Sequence, residues 1–311
     1  MAEDSKGLAG VTPTALDELA GRMHQGATFS ESDAALILES HDLVAIGMIS
    51  DEVRRQLHGA DTTFVRVFEA HVDAAPEALP PDTAAGEFRI VGTPDSVDTA
   101  CRAVARLRAL AGPAPVFGFS LHELEALGTP ADTFRRLKQA GLDGIAEVAV
   151  DHTASAESIA AARAHGLLVL RVTVHGAPAD LVTFLARSRD LLAKAGGFRA
   201  FAPLPRRLSV ANPTTGYDDV KAVALARLWL RDVPSIQVDW PLYGPKLAQV
   251  GLIVGADDVD GVSAAGAGAL GTRRSPIEEI NGNIRAAGLV PVERNGRFER
   301  IGHGTGGGAH A

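Results

Sequence analysis

IAEVAVDHTASAESIAAARAHGLLVLRVTV, residues 145–174, is the stretch of the chain that decides its fold. Two runs in it, IAEVAV and LLVLRVTV, carry apolar or β-branched residues at nearly every position instead of at alternate ones. Strands that are buried on both faces have this composition, because helices cover the sheet to which they belong. Between the runs lies SAESIAAARAHG, a segment typical of a helix. The stretch therefore predicts a strand, a helix and a second strand within a covered sheet.

The same alternation of strands and helices continues along most of the chain. About eight strand-like segments occur between TTFVRVFEAHV (residues 62–72) and ADDVDG (residues 256–261), and most of them precede a helix. Eight such units predict an α/β fold, a closed or nearly closed (β/α)8 TIM-type barrel, with a doubly wound sheet as the alternative. Residues 72–86 include three prolines and are too few for a loop and a full crossover helix, so we expect an abbreviated first connection.

Further segments are predicted at both ends of the barrel. Three short helices are expected before residue 60, in LDELAGRMHQG, FSESDAALILES and SDEVRRQLHG. SPIE, at Ser275–Glu278, is a capping box with proline at the first helical position, so another helix should follow the barrel. The predicted division is a helical extension at 1–60, a barrel with its C-terminal cap at 61–301, and a glycine-rich, disordered tail at 302–311.

Composition excludes several classes of protein. A formal net charge of −8 argues against a general nucleic-acid binder. Cys101 is the single cysteine, so the chain alone can form no internal disulfide and no thiolate-held metal or iron–sulfur centre. The first residues lack the pattern of a signal peptide, and no uncharged apolar run approaches the roughly 20 residues of a membrane helix. We therefore predict a soluble, cytoplasmic protein that does not bind membranes or nucleic acid.

Polar residues gather where the first predicted strand ends. In FEAHVDA, period-two spacing places Glu69, His71 and Asp73 on one face at the carboxyl end of the strand. Imidazole and carboxylate groups that converge at a barrel mouth can bind a divalent metal or transfer protons. The alternative is a polar strand end in which His71 is merely hydrogen-bonded.

Several later strands also end in polar residues. Asp151, His152, His175 and Asp239 lie just past strands, and together they favour a ligand site at the barrel mouth without selecting its members. In LPRRLS, Arg206 and Arg207 could hold a carboxylate or a phosphate, or form a solvated basic turn.

The acidic turn GADDVDG contributes three more candidates. Its carboxylates do not follow the spacing of a calcium-binding EF-hand loop. Alternation along a strand places Asp258 and Asp260 on one face and Asp257 on the other. We expect at least one of them to face the barrel mouth, where ligand hydroxyls could donate hydrogen bonds to it. The alternative is that one aspartate caps the next turn and that the others are solvated.

The chain resembles the aminofutalosine synthase family of the menaquinone pathway, which belongs to the radical S-adenosylmethionine enzymes. The resemblance covers roughly residues 15 to 301 and is strongest over the last hundred residues. It rests on GGFRAFAPL, TTGYDDVKAVALARLWL, PSIQVDW, GPKLAQVGLIVGADDVDG and IRAAGLVPVERN, and on the lead-in DLVAIGMISDEVRRQLHG. It implies a barrel fold and a nucleoside-like ligand.

The chain departs from that family where the cofactors bind. The family has a C-x3-C-x2-C motif after the first strand, which holds a four-iron four-sulfur cluster, whereas HVDAAPEALPPDTAAGEF contains no cysteine. The fifth strand, VTVHGAPAD, also lacks the family's Met-Tyr-Gly-His-x-Glu run. We therefore predict that the chain holds no such cluster, that it does not depend on S-adenosylmethionine, and that it has no dedicated metal site.

These observations support three hypotheses about function. The first is a pseudoenzyme, a paralogue of aminofutalosine synthase that binds a small nucleoside-like ligand or partners a menaquinone-pathway enzyme. The second is an enzyme of different, metal-assisted chemistry at the barrel mouth, using His71, Asp73 or Asp257. The third is a radical enzyme of the ordinary family type.

Overall fold

The structure, a computed structural model, describes residues 14–152, 155–207, 213–266 and 276–301. Its helices are α1 (Ala15–His24), α2 (Glu31–Glu39), α3 (Leu43–His58), α4 (Val97–Ala111), α5 (Leu121–Ala126), α6 (Pro130–Ala140), α7 (Ala156–Ala164), α8 (Leu181–Ala195), α9 (Gly216–Trp229), α10 (Trp240–Ile253) and α11 (Pro276–Ala286). Its strands are β1 (Asp61–His71), β2 (Glu87–Val91), β3 (Val116–Ser120), β4 (Gly144–Ala149), β5 (Leu168–Val169), β6 (Arg171–Val174), β7 (Ala200–Pro205), β8 (Ser235–Asp239), β9 (Asp258–Ser263) and β10 (Val290–Arg294).

Eight parallel strands form a closed barrel. Their order is β1, β2, β3, β4, β6, β7, β8 and β9, and the pairing of β9 with β1 closes the ring. β1 is long enough for two neighbours on one edge, because residues 61–65 pair with β10 and residues 67–71 pair with β2. The two-residue strand β5 pairs with β4 beside β6. The prediction of a TIM-type barrel is confirmed.

An apolar shell between the strands and the outer helices forms the core. The strands β3, β6 and β7 are buried at every position, as the predicted two-sided burial requires. Burying a large apolar side chain contributes roughly 1.5–3 kcal/mol, so this shell is the main source of stability. Fully or almost fully buried members include Val104, Leu107, Phe134, Leu137, Ile145, Val172, Phe201, Leu225 and Ile236.

The three predicted N-terminal helices are present and pack on the barrel. α1 and α2 begin with capping boxes at Thr14 and Ser30. α3 begins at Leu43, seven residues before the segment that we expected, since the Asp42 side chain accepts a hydrogen bond from the Ala45 backbone N–H and caps the helix there. α3 packs against α9, and the Ser50 hydroxyl donates to the carbonyl of Val254 over 2.8 Å.

The connection between β1 and β2 contains turns and no helix over residues 72–86, as predicted. Ser275, the first residue of the predicted capping box, lies outside the described residues, and α11 begins next to it at Pro276. The predicted disordered tail at 302–311 also lies outside them. The division into an extension at 1–60 and a barrel at 61–301 stays a prediction. In the described part of the chain, no helix has the length and apolar character needed to cross a bilayer.

Candidate functional site at the barrel mouth

Charged side chains fill the interior of the barrel, where TIM barrels usually pack branched apolar residues. Alternate residues of a strand share a face, so Glu87 and Arg89 of β2 both point inward, as do Asp258 and Asp260 of β9. These four side chains are buried, as is Arg171 of β6. Buried charges must be paired, and here residues from different strands pair across the barrel.

Asp260 lies at the centre of this interior network. Its two oxygens accept hydrogen bonds from Arg89 over 2.8 and 3.0 Å, and Arg206 approaches within 3.3 Å. Glu87 accepts from Arg89 over 2.7 Å and from Arg171 over 3.2 Å. Burial alone would raise the pKa of Asp260, but attraction to Arg171 and Arg89 outweighs it and holds that pKa well below its usual range. Asp260 is therefore ionised near neutral pH, where its charge pairs with the arginines of the barrel interior.

Asp258 lies one layer deeper, and its oxygens are also occupied. Arg294 of β10 donates two hydrogen bonds to it, both of 2.6 Å. Thr63 donates to the same oxygen as Arg294 Nε, and Gln237 donates to the other oxygen over 2.6 Å. Four donors thus surround a carboxylate with no exposed surface.

Asp257 faces the opposite way, as alternation predicted. Its carboxylate accepts from Arg227 of α9 and from the backbone N–H of Ile236, and His58 Nε2 lies 3.4 Å away. It links β9 to the helices outside the barrel. The pair Asp258 and Asp260 faces inward, but arginines occupy the oxygens that we expected a ligand to use. A binding role for these three carboxylates stays a prediction.

A polar pocket of about 250 Å³ lies above the network, at the carboxyl ends of the strands. Active sites of TIM barrels lie at this end. The charged and imidazole side chains that line the pocket are Glu69, Arg89, Glu123, Glu147, Arg171, His175, Arg206 and Arg207. Its lining thus offers both guanidinium donors and carboxylate acceptors.

Glu147 of β4 joins two sides of the pocket. Its carboxylate lies 2.6 Å from His175 Nε2 and 3.7 Å from Arg206 Nε. Burial by itself would raise the pKa of Glu147, but the hydrogen bond from His175 and the charge of Arg206 outweigh it and lower that pKa to about 2. Glu147 is therefore a carboxylate at every pH near neutrality.

Glu147 should make stability depend on pH in acid. Its pKa of about 2 lies below the ordinary value of 4.5, so its contribution is present above pH 4.5 and is lost as the pH falls toward 2. From roughly pH 5 to pH 3, the stability advantage of the wild type over Glu147→Gln should shrink by about 2 kcal/mol. Urea unfolding of the wild type and of Glu147→Gln at pH 5 and at pH 3 measures this change in the stability difference. A difference that stays constant over this range would contradict the pairing of Glu147.

Three histidines meet at the rim of the pocket, from the carboxyl ends of the neighbouring strands β3, β4 and β6. His175 Nδ1 lies 3.2 Å from His152 Nε2. The rings of His122 and His152 stack with centroids 4.0 Å apart, and His122 Nδ1 lies 2.9 Å from the Ser120 hydroxyl. Burial lowers the pKa of His122, and any charge on His152 or His175 lowers it further, so His122 favours its neutral form.

The candidates on the first strand do not converge on one site. Glu69 lines the pocket. Partial burial at the end of the barrel raises the pKa of its carboxyl group, and the negative charges of Asp260 and Asp239 raise that pKa further. His71 is 55% exposed and lies 3.6 Å from Asp73, which is 71% exposed, and neither lines the pocket. Asp239 pairs with Arg206 and caps α10 by accepting from the Leu242 backbone N–H over 2.9 Å.

Five members of this site were not among the candidates predicted from the sequence: Glu87, Arg89, His122, Glu147 and Arg171. A signal for four of them existed, because a charged residue inside an otherwise apolar, two-sided strand must face a partner. His122 follows the end of β3 by two residues, as His152 and His175 follow their strands. The rule that selected those two histidines would have selected it as well.

Sequence comparison finds a family model and curated relatives that each match part of the chain. Residues 197–303 match the family model described as the CofH/MqnC C-terminal region. An aminodeoxyfutalosine synthase from Thermus thermophilus is 30% identical over 203 residues, which are 55% of each chain. A 5-amino-6-(D-ribitylamino)uracil–L-tyrosine 4-hydroxyphenyl transferase from Methanothermobacter thermautotrophicus is 36% identical over 36% of this chain and 35% of its own. The match thus spans about half or less of these relatives.

Solved structures share the fold. The FeFe-hydrogenase maturase HydG from Carboxydothermus hydrogenoformans superposes with a TM-score of 0.64, at 12% identity, over 91% of this chain and 80% of its own. Methylornithine synthase (PylB) superposes with a TM-score of 0.62, at 12% identity, over 88% of this chain and 97% of its own. Identities this low show the barrel fold alone.

The comparisons correct the prediction about cofactors. The family and its structural neighbours are radical S-adenosylmethionine enzymes, which use a four-iron four-sulfur cluster and S-adenosylmethionine, so the prediction that neither is used is wrong. The residues of this chain do not themselves supply three thiolate ligands, because its single cysteine, Cys101, is half-buried within α4. Any cluster ligands would have to come from other groups.

The barrel fold, the matched C-terminal region and the identity with aminodeoxyfutalosine synthases agree with one another. Residues 197–303 match the CofH/MqnC C-terminal region, and about half of the chain is similar to about half of an aminodeoxyfutalosine synthase.

Proposed function

We propose that this protein is a non-catalytic member of its family that binds a small, polar, nucleoside-like ligand at the barrel mouth and acts in menaquinone biosynthesis by the futalosine route. The observation that carries the proposal is the pocket of about 250 Å³, whose lining combines guanidinium and carboxylate groups. Sites for small molecules are concave and hold a few convergent polar groups, which fix the orientation of the ligand.

The pocket chemistry indicates which parts of a ligand bind. Pockets for drug-sized ligands measure roughly 300–1,000 Å³, so this one would hold a sugar or an acidic end while the rest lies over the rim. Glu69, exposed in the pocket, can accept hydrogen bonds from hydroxyl groups. Arg207, exposed at the same rim, can donate to an acidic group.

The state of the buried carboxylates supports a binding role over a catalytic one. General acids and bases work best when their pKa lies near the working pH. The pKa of Glu147 is about 2 and that of Asp260 is lower than usual, so neither exchanges protons easily near neutrality.

The relatives supply the ligand to test first. The matched region 197–303 contributes Arg206, Asp239 and Asp260 to the site, and one relative bears the name aminodeoxyfutalosine synthase. We therefore choose aminodeoxyfutalosine as the probe.

Replacing Glu69 by glutamine should weaken binding of aminodeoxyfutalosine about five- to tenfold, because a charge-assisted hydrogen bond becomes a neutral one. Isothermal titration calorimetry measures this, with Glu278→Gln as the control, since Glu278 is exposed on α11 and outside the pocket lining. Both variants should melt at the wild-type temperature. No binding by the wild type, or equal loss in both variants, would reject the proposed site.

Two other predictions remain open beside this proposal. Partnership with a menaquinone-pathway enzyme and a cytoplasmic location stay predictions from the sequence. Different chemistry that uses His71, Asp73 or Asp257 gains no support from their positions, since the first two lie outside the pocket and the third faces the outer helices.

A further inference from the structure

We propose that His122, His152 and His175 form a binding site for one divalent transition-metal ion of the zinc class. The inference does not depend on the identity of the small ligand. It rests on three nitrogen donors that converge at the rim of the pocket from three neighbouring strands.

The spacing of the nitrogens suits one ion. One ligand nitrogen from each histidine lies within 4.8 Å of the other two, and His175 Nδ1 lies 3.2 Å from His152 Nε2. Nitrogens at roughly 2.0–2.1 Å from a tetrahedral zinc ion are about 3.3 Å apart. His152 and His175 therefore already have the nitrogen–nitrogen separation that a tetrahedral zinc ion requires. His122 is only partly buried, so a rotation of its side chain can bring its nitrogen closer.

The carboxylate of Glu147 determines which ring nitrogen of His175 carries the proton. The Glu147 carboxylate lies 2.6 Å from His175 Nε2, so Nε2 is the ring nitrogen that carries the proton and donates it in this hydrogen bond. In the neutral ring this leaves a lone pair on Nδ1, the atom that faces His152. Histidines that bind metals usually donate their other ring N–H to a carboxylate or a carbonyl in this way.

The surrounding backbone also holds the donors in place. The Asp151 carboxylate, beside His152, accepts from the backbone N–H groups of His175 over 2.9 Å and Gly176 over 2.8 Å. This contact joins the loop after β4 to the loop after β6, and so fixes two of the three ligands relative to each other.

The donor set defines the class of metal and its coordination. Imidazole nitrogens suit zinc, copper, iron and nickel rather than magnesium or calcium. Three protein ligands leave a fourth position of a tetrahedral ion for water or another donor. His175, Ser120 and Glu147 line the pocket, so the open position adjoins the space where a small ligand would lie.

The test is zinc titration of the full chain, prepared without a polyhistidine tag and stripped with a chelator. We expect one equivalent of zinc to bind with a single Kd in calorimetry. His152→Ala and His175→Ala should each weaken binding at least a hundredfold, and Glu147→Gln about 10- to 100-fold. Cobalt should bind at the same place and give the visible absorption of a tetrahedral site.

His24→Ala is the matched control, because His24 is a 70% exposed histidine outside the cluster, and it should bind zinc like the wild type. Circular dichroism of each variant checks that it is folded. Substoichiometric binding by the wild type would overturn the proposal. So would a His152→Ala/His175→Ala double variant that is folded and binds zinc as tightly as the wild type.

Discussion

Replacing Asp258 by asparagine should lower the free energy of unfolding by about 3–5 kcal/mol, because it leaves Arg294 as a buried charge without its counterion. The amide is a poor substitute at this position. Each carboxylate oxygen accepts two donors, Thr63 and Arg294 at one and Gln237 and Arg294 at the other. Whichever oxygen becomes an NH2 group will face two donors and lose both hydrogen bonds.

Urea unfolding at neutral pH measures this loss, and Asp73→Asn is the control. Asp73 is 71% exposed, so that variant should stay within about 0.5 kcal/mol of the wild type. If Asp258→Asn keeps wild-type stability and loses ligand binding instead, Asp258 belongs to the binding site, and the structural role assigned to it above is wrong.

Replacing Asp260 by asparagine should cost a similar amount, about 3–5 kcal/mol, and should also disturb the pocket. Arg89 and Arg171 balance the charges of Glu87 and Asp260, so the substitution leaves one net positive charge buried. Arg206, which lies 3.3 Å from Asp260, loses a partner at the pocket wall.

A double variant separates charge balance from packing. Adding Arg171→Met to Asp260→Asn restores the balance, so the two changes together should destabilise the protein by about 1–3 kcal/mol less than the sum of the single changes. Strict additivity of the two effects would show that Arg171 and Asp260 do not interact.

The alternation of buried strands and helices made the barrel predictable. A strand such as IAEVAV is apolar on both faces, and this pattern requires cover by helices. The abbreviated connection at residues 72–86 was predictable from its length and its prolines. The first residue of α3 was not predictable in this way, since the cap at Asp42 depends on one local hydrogen bond.

The candidate site was predictable only in part. Period two correctly separated Asp257 from the pair Asp258 and Asp260, but it could not reveal that arginines from other strands neutralise that pair. Arg89 and Arg171 become partners of Asp260 only when the barrel closes, which brings strands distant in sequence together. The histidine cluster was within reach of the sequence, since each of its members follows the end of a strand and the three strands are neighbours in the barrel, but the side-chain directions that bring the rings together were not.

A crystal structure of the protein grown with aminodeoxyfutalosine is the most direct test of the proposed function. We expect ligand density in the pocket of about 250 Å³, with a polar group of the ligand within hydrogen-bond distance of Glu69 or Arg207. An empty mouth at saturating ligand, or density only in the separate groove lined by Pro178, Asp180, Pro203 and Lys221, would contradict it.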